Sequence, residues 1–188
     1  MFGVRKWVGG MGLEEWIGGM GLEYIVSKIL AMKKRLLVIV VGVLGGLAGF
    51  AQGTVQLVNP TSVAAPKGYS QAAVVDLGSC KMIIMSGQVP LDLQGNLVGK
   101  DDLEKQAEQV FRNIKAIVTD AGGTMDDVVR LGFYVTDLTK LGALRTVRDR
   151  FVNTKTPPAS TLVQVAKLYR DDVLIEVEAT AIIRSRGM

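Results

Sequence analysis

Histidine is absent from the chain. That excludes Ser-His and Cys-His catalytic pairs and any metal site built on imidazole. Cysteine occurs once, as Cys80. A single thiol forms no internal disulfide and no thiolate cluster. With no histidine to activate it, Cys80 reads as a structural thiol. Neither a metal nor a cofactor is expected. Charge of one sign is also scarce where it would matter. The net charge is +4, but the excess sits at the N-terminus. Up to Ala51 there are six basic residues and three acidic ones, leaving 16 basic and 15 acidic residues from Gln52 onward. A near-neutral body gives no support to a nucleic-acid surface.

One apolar run stands out. Residues 32 to 51 read MKKRLLVIVVGVLGGLAGFA: Lys33, Lys34 and Arg35, then an apolar stretch from Leu36 to Leu47, then Gly49 and Ala51. This order of charge, apolar run and small residues is that of a secretory signal peptide. The run is short for a bilayer-spanning helix; an uncleaved anchor is the rival reading. The expectation is a periplasmic or secreted protein with no stable membrane span after cleavage. Residues 1–31 precede this signal and contain an internal repeat, WVGGMGLEE and WIGGMGLEY. Glycine is dense there, and no hydrophobic period lasts long enough for a helix or strand. Residues 1–31 are read as upstream translation foreign to the natural protein, with Met32 as the true start; a genuine extension is the alternative.

The body, residues 52–188, patterns as one α+β domain. Residues 52–66 form an extended lead-in with Pro60 and Pro66. Strands are expected at Ala72–Leu77 and Met82–Gln88, joined by a turn at Ser79-Cys80-Lys81, with a loop from Pro90 to Gly99. Asp101 to Ala121 carries apolar residues at three and four spacing, from Leu103 through Val118, and predicts a helix. Asp101 and Glu104 fit a capping box, and Gly122 and Gly123 stop the helix. Asp126–Val135 leads into a strand with Val129, Leu131, Phe133 and Val135 on one face. A second helix covers Leu138–Phe151. Two strands close the chain, Ser160–Ala166 and Val173–Ile183. This order gives a mixed sheet with two helices on one face, and a partner subunit is the simplest cover for the other.

Strand alternation groups the candidate residues. Ser160, Leu162 and Gln164 share one face, and Glu176 and Glu178 share another, opposite Ile175 and Val177. Two carboxylates amid apolar alternation mark a polar interior or interface. Partly desolvated, either can serve as an acid or base; alternatively both pair with bases such as Lys167. Tyr69 follows a glycine and suits the lip of a pocket or an interface. Ser86-Gly87 at a strand end offers a hydroxyl and backbone N–H groups for an anion or acyl oxygen, or is a plain strand-end turn.

Several ordered segments resemble one family. GYSQA (Gly68–Ala72), MSGQVPLD (Met85–Asp92), QAEQVFRNIKAIVTDAGGTMDDVVRLGFYVTDL (Gln106–Leu138), PPASTLVQVAKL (Pro157–Leu168) and IEVEATA (Ile175–Ala181) are similar to those of the RidA/YjgF/UK114 family. The resemblance implies a chorismate-mutase-like fold, β-β-α-β-α-β-β, and a homotrimer with clefts between subunits. It also implies hydrolysis of reactive enamines and imines there. Carried over, the pocket tyrosine is Tyr69, the serine is Ser86, and the glutamate that orients water is Glu176. The family's carboxylate-binding arginine falls at Ser160, which lacks the bidentate charged grip. Leu162 lies beside it on the same face, and Arg145, at a position where some members carry asparagine, could supply a displaced charge or be a solvated helix residue. Low activity on 2-imino acids is the consequence. A hydrolase of small imine-like metabolites, a non-catalytic small-ligand binder and a chaperone-like trimer all fit. Some relatives carry an endoribonuclease label, which the near-neutral body does not favour.

Overall fold

Aliphatic and β-branched residues cluster at both ends of the body and build one six-stranded sheet, seen in a computed structural model that describes Glu23 and residues 26–32 and 54–185. The elements are β1 (Val55–Val58), β2 (Ala72–Asp76), β3 (Cys80–Gln88), α1 (Leu103–Asp120), β4 (Val128–Val135), α2 (Leu141–Arg148), β5 (Ala159–Gln164) and β6 (Ile175–Arg184). Their order across the sheet is β1-β2-β3-β6-β4-β5. β4 and β5 run parallel, which requires a crossover, and α2 supplies it. The remaining neighbours are antiparallel.

Burial alternates along β6. Ile175, Val177, Ala179, Ala181 and Ile183 are buried, whereas Glu176, Glu178 and Thr180 are partly exposed. The buried set meets the apolar face of α1, including Ala107, Val110, Phe111, Ile114 and Val118, and Leu144 and Val147 of α2 join the same core. Phe111 stacks on Phe151 at 5.2 Å between centroids and tilts against Phe133 at 6.2 Å. The α+β sheet with both helices on one face is as expected. The glutamates therefore stand on the face opposite α1 and α2.

Local details differ from the sequence reading, each for a physical reason. The lead-in contains a strand, β1, because Val55–Val58 pairs with the edge of β2. The turn before β3 is Leu77-Gly78-Ser79, where Gly78 takes φ +80° and donates to the Asp76 side chain; Cys80 already belongs to β3. The cap of α1 is Asp102, whose side chain accepts from the Lys105 N–H, while Asp101 adopts φ +60° outside the helix. Gly122 and Gly123 do end it: their N–H groups return to Thr119 and Val118, with Gly122 at φ +90°. A register shift between Val128 and Arg130 turns Val128 inward and leaves Val129 41% exposed, so Val129 is not a core residue. The second helix begins with a 3-10 turn at Leu138–Lys140.

The chain divides into two units, residues 1–50 and 51–188. In the first, Glu23 and residues 26–32 are helical, against the expectation that residues 1–31 build no helix. Lys28, Leu30, Ala31 and Met32 are good helix formers. The signal-peptide reading of residues 32–51 lies outside the described residues, apart from Met32. Among the described residues no helix is long and apolar enough to cross a membrane.

Candidate functional site

The site starts from an irregularity in β3. Met85 pairs with Ala179 and Gln88 with Val177, so Ser86 and Gly87 together oppose the single residue Glu178. Such a bulge re-aims side chains next to it. The Ser86 hydroxyl donates to the Ser70 carbonyl at 2.7 Å, and its backbone N–H is taken by the Gln71 carbonyl at 3.0 Å. Ser86 is thus left with acceptor lone pairs, not with the exposed N–H expected of it. Gly87 has a different use. A Cβ there would lie 1.9 Å from Glu176 Oε1, so the carboxyl of Glu176 rests directly against the glycine backbone.

Buried amides fix the walls around this pair. Gln71 donates to the Ala64 carbonyl at 2.7 Å and accepts from Gln88 at 2.9 Å, while its N–H meets Asn59 Oδ1. That network holds the segment carrying Lys67 and Tyr69. Asn113 of α1 donates to the carbonyls of Val89 and Leu91, and Asp92 accepts from the N–H groups of Gln94 and Asn96. These bonds shape a second wall. Gln106, fully buried, donates to the Asp172 carbonyl at 2.8 Å and accepts from the Leu174 N–H at 2.8 Å. It anchors the third wall, the loop before β6.

Between the walls lies a cavity of about 850 Å³, lined among others by Tyr69, Ser86, Gly87, Tyr169, Arg170 and Glu176. Burial, and secondarily the charge of Glu178, raises the Glu176 carboxyl above its ordinary value of 4.5. Burial also raises Tyr69, aided by Tyr169 and Glu176. Glu178 does not pair with Lys167, as one reading had it. Lys167 is engaged by Asp171 at 2.7 Å, and Glu178 accepts from the Tyr134 hydroxyl at 3.2 Å. That bond raises Tyr134.

One chain brings together Tyr69, Ser86 and Glu176 but does not bring Ser160, Leu162 or Arg145 to them. Ser160 and Leu162 pair with the buried Leu131 and Phe133, so they point to the helix side of the sheet. Glu176 pairs with Tyr134 on the opposite side. Arg145 is exposed on α2. Sequence reasoning missed Arg170 and Tyr169, which sit in the short charged loop YRDD; the only signal was their nearness to Glu176. Gly87 was read for its N–H rather than for the approach it allows. Gly87→Ala is therefore expected to displace a flexible carboxyl rather than the backbone. Any turnover should fall by about tenfold or more, as when a positioned group is lost, with the denaturation midpoint nearly unchanged. Unaltered activity in this variant would mean that the contact has no role in positioning Glu176.

Fold and cleft together define a RidA/YjgF-type protein. The chain belongs to the Endoribonuclease L-PSP family, whose sequence model matches residues 60–183. A RutC family protein of Pyrococcus abyssi is 36% identical over 113 residues, spanning 60% of this chain and 84% of that one. The 2-iminobutanoate/2-iminopropanoate deaminase of Salmonella typhimurium is 40% identical over 112 residues, 58% of this chain and 84% of that enzyme. Escherichia coli TdcF with bound serine superposes with a TM-score of 0.58 at 32% identity, covering 69% of this chain and 99% of that one.

Proposed function

We propose that the protein hydrolyses small reactive imines or enamines, with Glu176 moving the proton. The carrying observation is a half-buried carboxyl of raised pKa, seated on Gly87 in a cavity shared with Ser86 and Tyr69. The deaminase named for the Salmonella relative supports the reaction class. In the proposed step, ionised Glu176 takes a proton from water as the water oxygen bonds to the imine carbon, and the C=N π pair moves to nitrogen. Glu176 then returns the proton to that nitrogen. The resulting carbinolamine gives its hydroxyl proton to Glu176, which passes it to the amine nitrogen; the oxygen lone pair forms the C=O bond as the C–N bond breaks and ammonia leaves. Ser86 accepts a hydrogen bond from the water or the imine N–H, and Tyr69 closes the lip.

The sign of the pH dependence follows. The working form is the carboxylate, so the rate should rise with pH through a midpoint above the ordinary 4.5. A rate that falls across that range would assign Glu176 the acid role instead.

Ser160 and Glu176 occupy opposite sides of the sheet in one chain, so they meet only if a second copy lays its β5 against this cavity. The homotrimer with a small-molecule ligand between subunits is proposed from the family resemblance, which such a contact would satisfy, and export behind residues 32–51 is proposed with it. Light scattering of the protein from its native cell is expected to give three times the mass of the cleaved chain, and N-terminal mass mapping to give Gln52 or a neighbour. A stable monomer, or peptides from residues 1–31, would contradict the respective half.

A further inference from the structure

The cavity lining holds one carboxyl, Glu176, and two cations, Lys67 and Arg170. Lys67 lies on an exposed stretch, whereas Arg170 is held in place. Its Nε reaches Asp172 Oδ1 at 2.8 Å and its Nη2 reaches Oδ2 at 2.6 Å. Asp172 is itself fixed, since its carbonyl accepts from buried Gln106, which also accepts from the Leu174 N–H. The bidentate pair occupies one edge of the guanidinium. Arginine presents five N–H donors in a rigid fork; two face Asp172 and the side chain also hydrogen-bonds Tyr169, which leaves donors for a second carboxylate. A fork immobilised from behind loses little entropy on binding.

Size points the same way. About 850 Å³ lies within the range that holds drug-sized ligands. Arg170 comes from the loop before β6, while Glu176 and Ser86 sit at the β3–β6 bulge, so the cation and the proton carrier belong to different walls. Ser160, with one neutral hydroxyl, gives an adjacent carboxylate little hold.

We propose that Arg170 binds a carboxylate carried away from the reacting carbon, so that the preferred substrates are longer imines or enamines with a distal acidic group. The position of the reacting carbon rests on the hydrolase reading above; the anion site does not.

The experiment uses two stable keto acids of equal chain length, 2-oxoglutarate and 2-oxopentanoate, which differ in the distal carboxylate. Calorimetric titration of the full-length protein is expected to show 2-oxoglutarate bound about tenfold more tightly, the lower end for a charge-assisted contact at a partly solvated site. Arg170→Gln should remove the preference. Arg170→Lys, which keeps the charge without the fork, should retain part of it and answers the question if the glutamine variant fails to fold. Equal affinities in the wild type, no binding of either acid, or a preference that survives Arg170→Gln would overturn the proposal. A preference for 2-oxoglutarate in a protein that hydrolyses no imine leaves the anion site standing and removes the hydrolase reading.

Discussion

Glu176→Gln is expected to abolish imine turnover while leaving the fold intact and more stable than wild type at neutral pH. The turnover arm follows from the proton. A glutamine amide neither accepts a proton from water nor returns one to nitrogen, and a positioned acid–base group typically contributes 10²–10⁴-fold. The stability arm follows from linkage. The folded-state pKa of Glu176 is raised above 4.5, by burial first and Glu178 second. Between the unfolded and folded values the native state binds more protons, so stability falls as pH rises through that window. Above it the ionised carboxyl is a standing cost. Glutamine removes the charge at nearly constant volume and relieves the repulsion from Glu178. Denaturation of both proteins across pH should show wild type losing ground relative to the variant as pH rises; carboxylates held low, such as Asp92 and Asp102, contribute alike to both and cancel. Equal turnover by the two would take Glu176 out of the mechanism. Parallel stability curves would mean that its carboxyl is not perturbed.

Ser160→Arg carries the second large effect. A 2-imino acid needs a partner for the carboxylate next to its reacting carbon, and losing a buried charged partner costs about 2–5 kcal/mol. A serine hydroxyl recovers roughly 0.5–1.5 kcal/mol. The difference, roughly 0.5–4.5 kcal/mol, corresponds to about twofold to two-thousandfold in rate if it falls on the transition state. Wild type should therefore turn over 2-iminobutanoate slowly, and Ser160→Arg should raise the rate by about tenfold or more from the middle of that range, and by no less than about twofold. Within one chain the change meets no packed core, because Ser160 is exposed on the edge strand β5. Wild-type turnover equal to that of an arginine-bearing relative, or no gain in the variant, would show that position 160 does not hold the carboxylate.

The layout of the sheet was legible because alternation and helical spacing are properties of burial, and burial here is regular along α1 and β6. The shift of one residue at Val128 escaped because a bulge breaks the alternation from which it would be read. The cap moved from Asp101 to Asp102 because two adjacent aspartates look alike until one takes a positive φ. Of the site, Tyr69, Ser86 and Glu176 were found through their segments. Alternation did set the Glu176 pair apart, but the sequence gives no sign that Ser160 faces away from it. That follows from β5 pairing parallel to β4 while β6 pairs antiparallel on the other side. Arg170 was missed because a loop has no period, and its direction is set by Gln106, which lies far off in sequence.

The most direct test follows the decay of an imine as it forms. An amino-acid oxidase generates imines from a panel of amino acids, and each is tracked to its keto acid with and without the purified protein. The account predicts faster decay with wild type, in proportion to protein added, and no acceleration with Glu176→Gln. If no imine decays faster than in buffer, or if both proteins accelerate decay equally, the assignment of a Glu176-dependent imine hydrolase is contradicted.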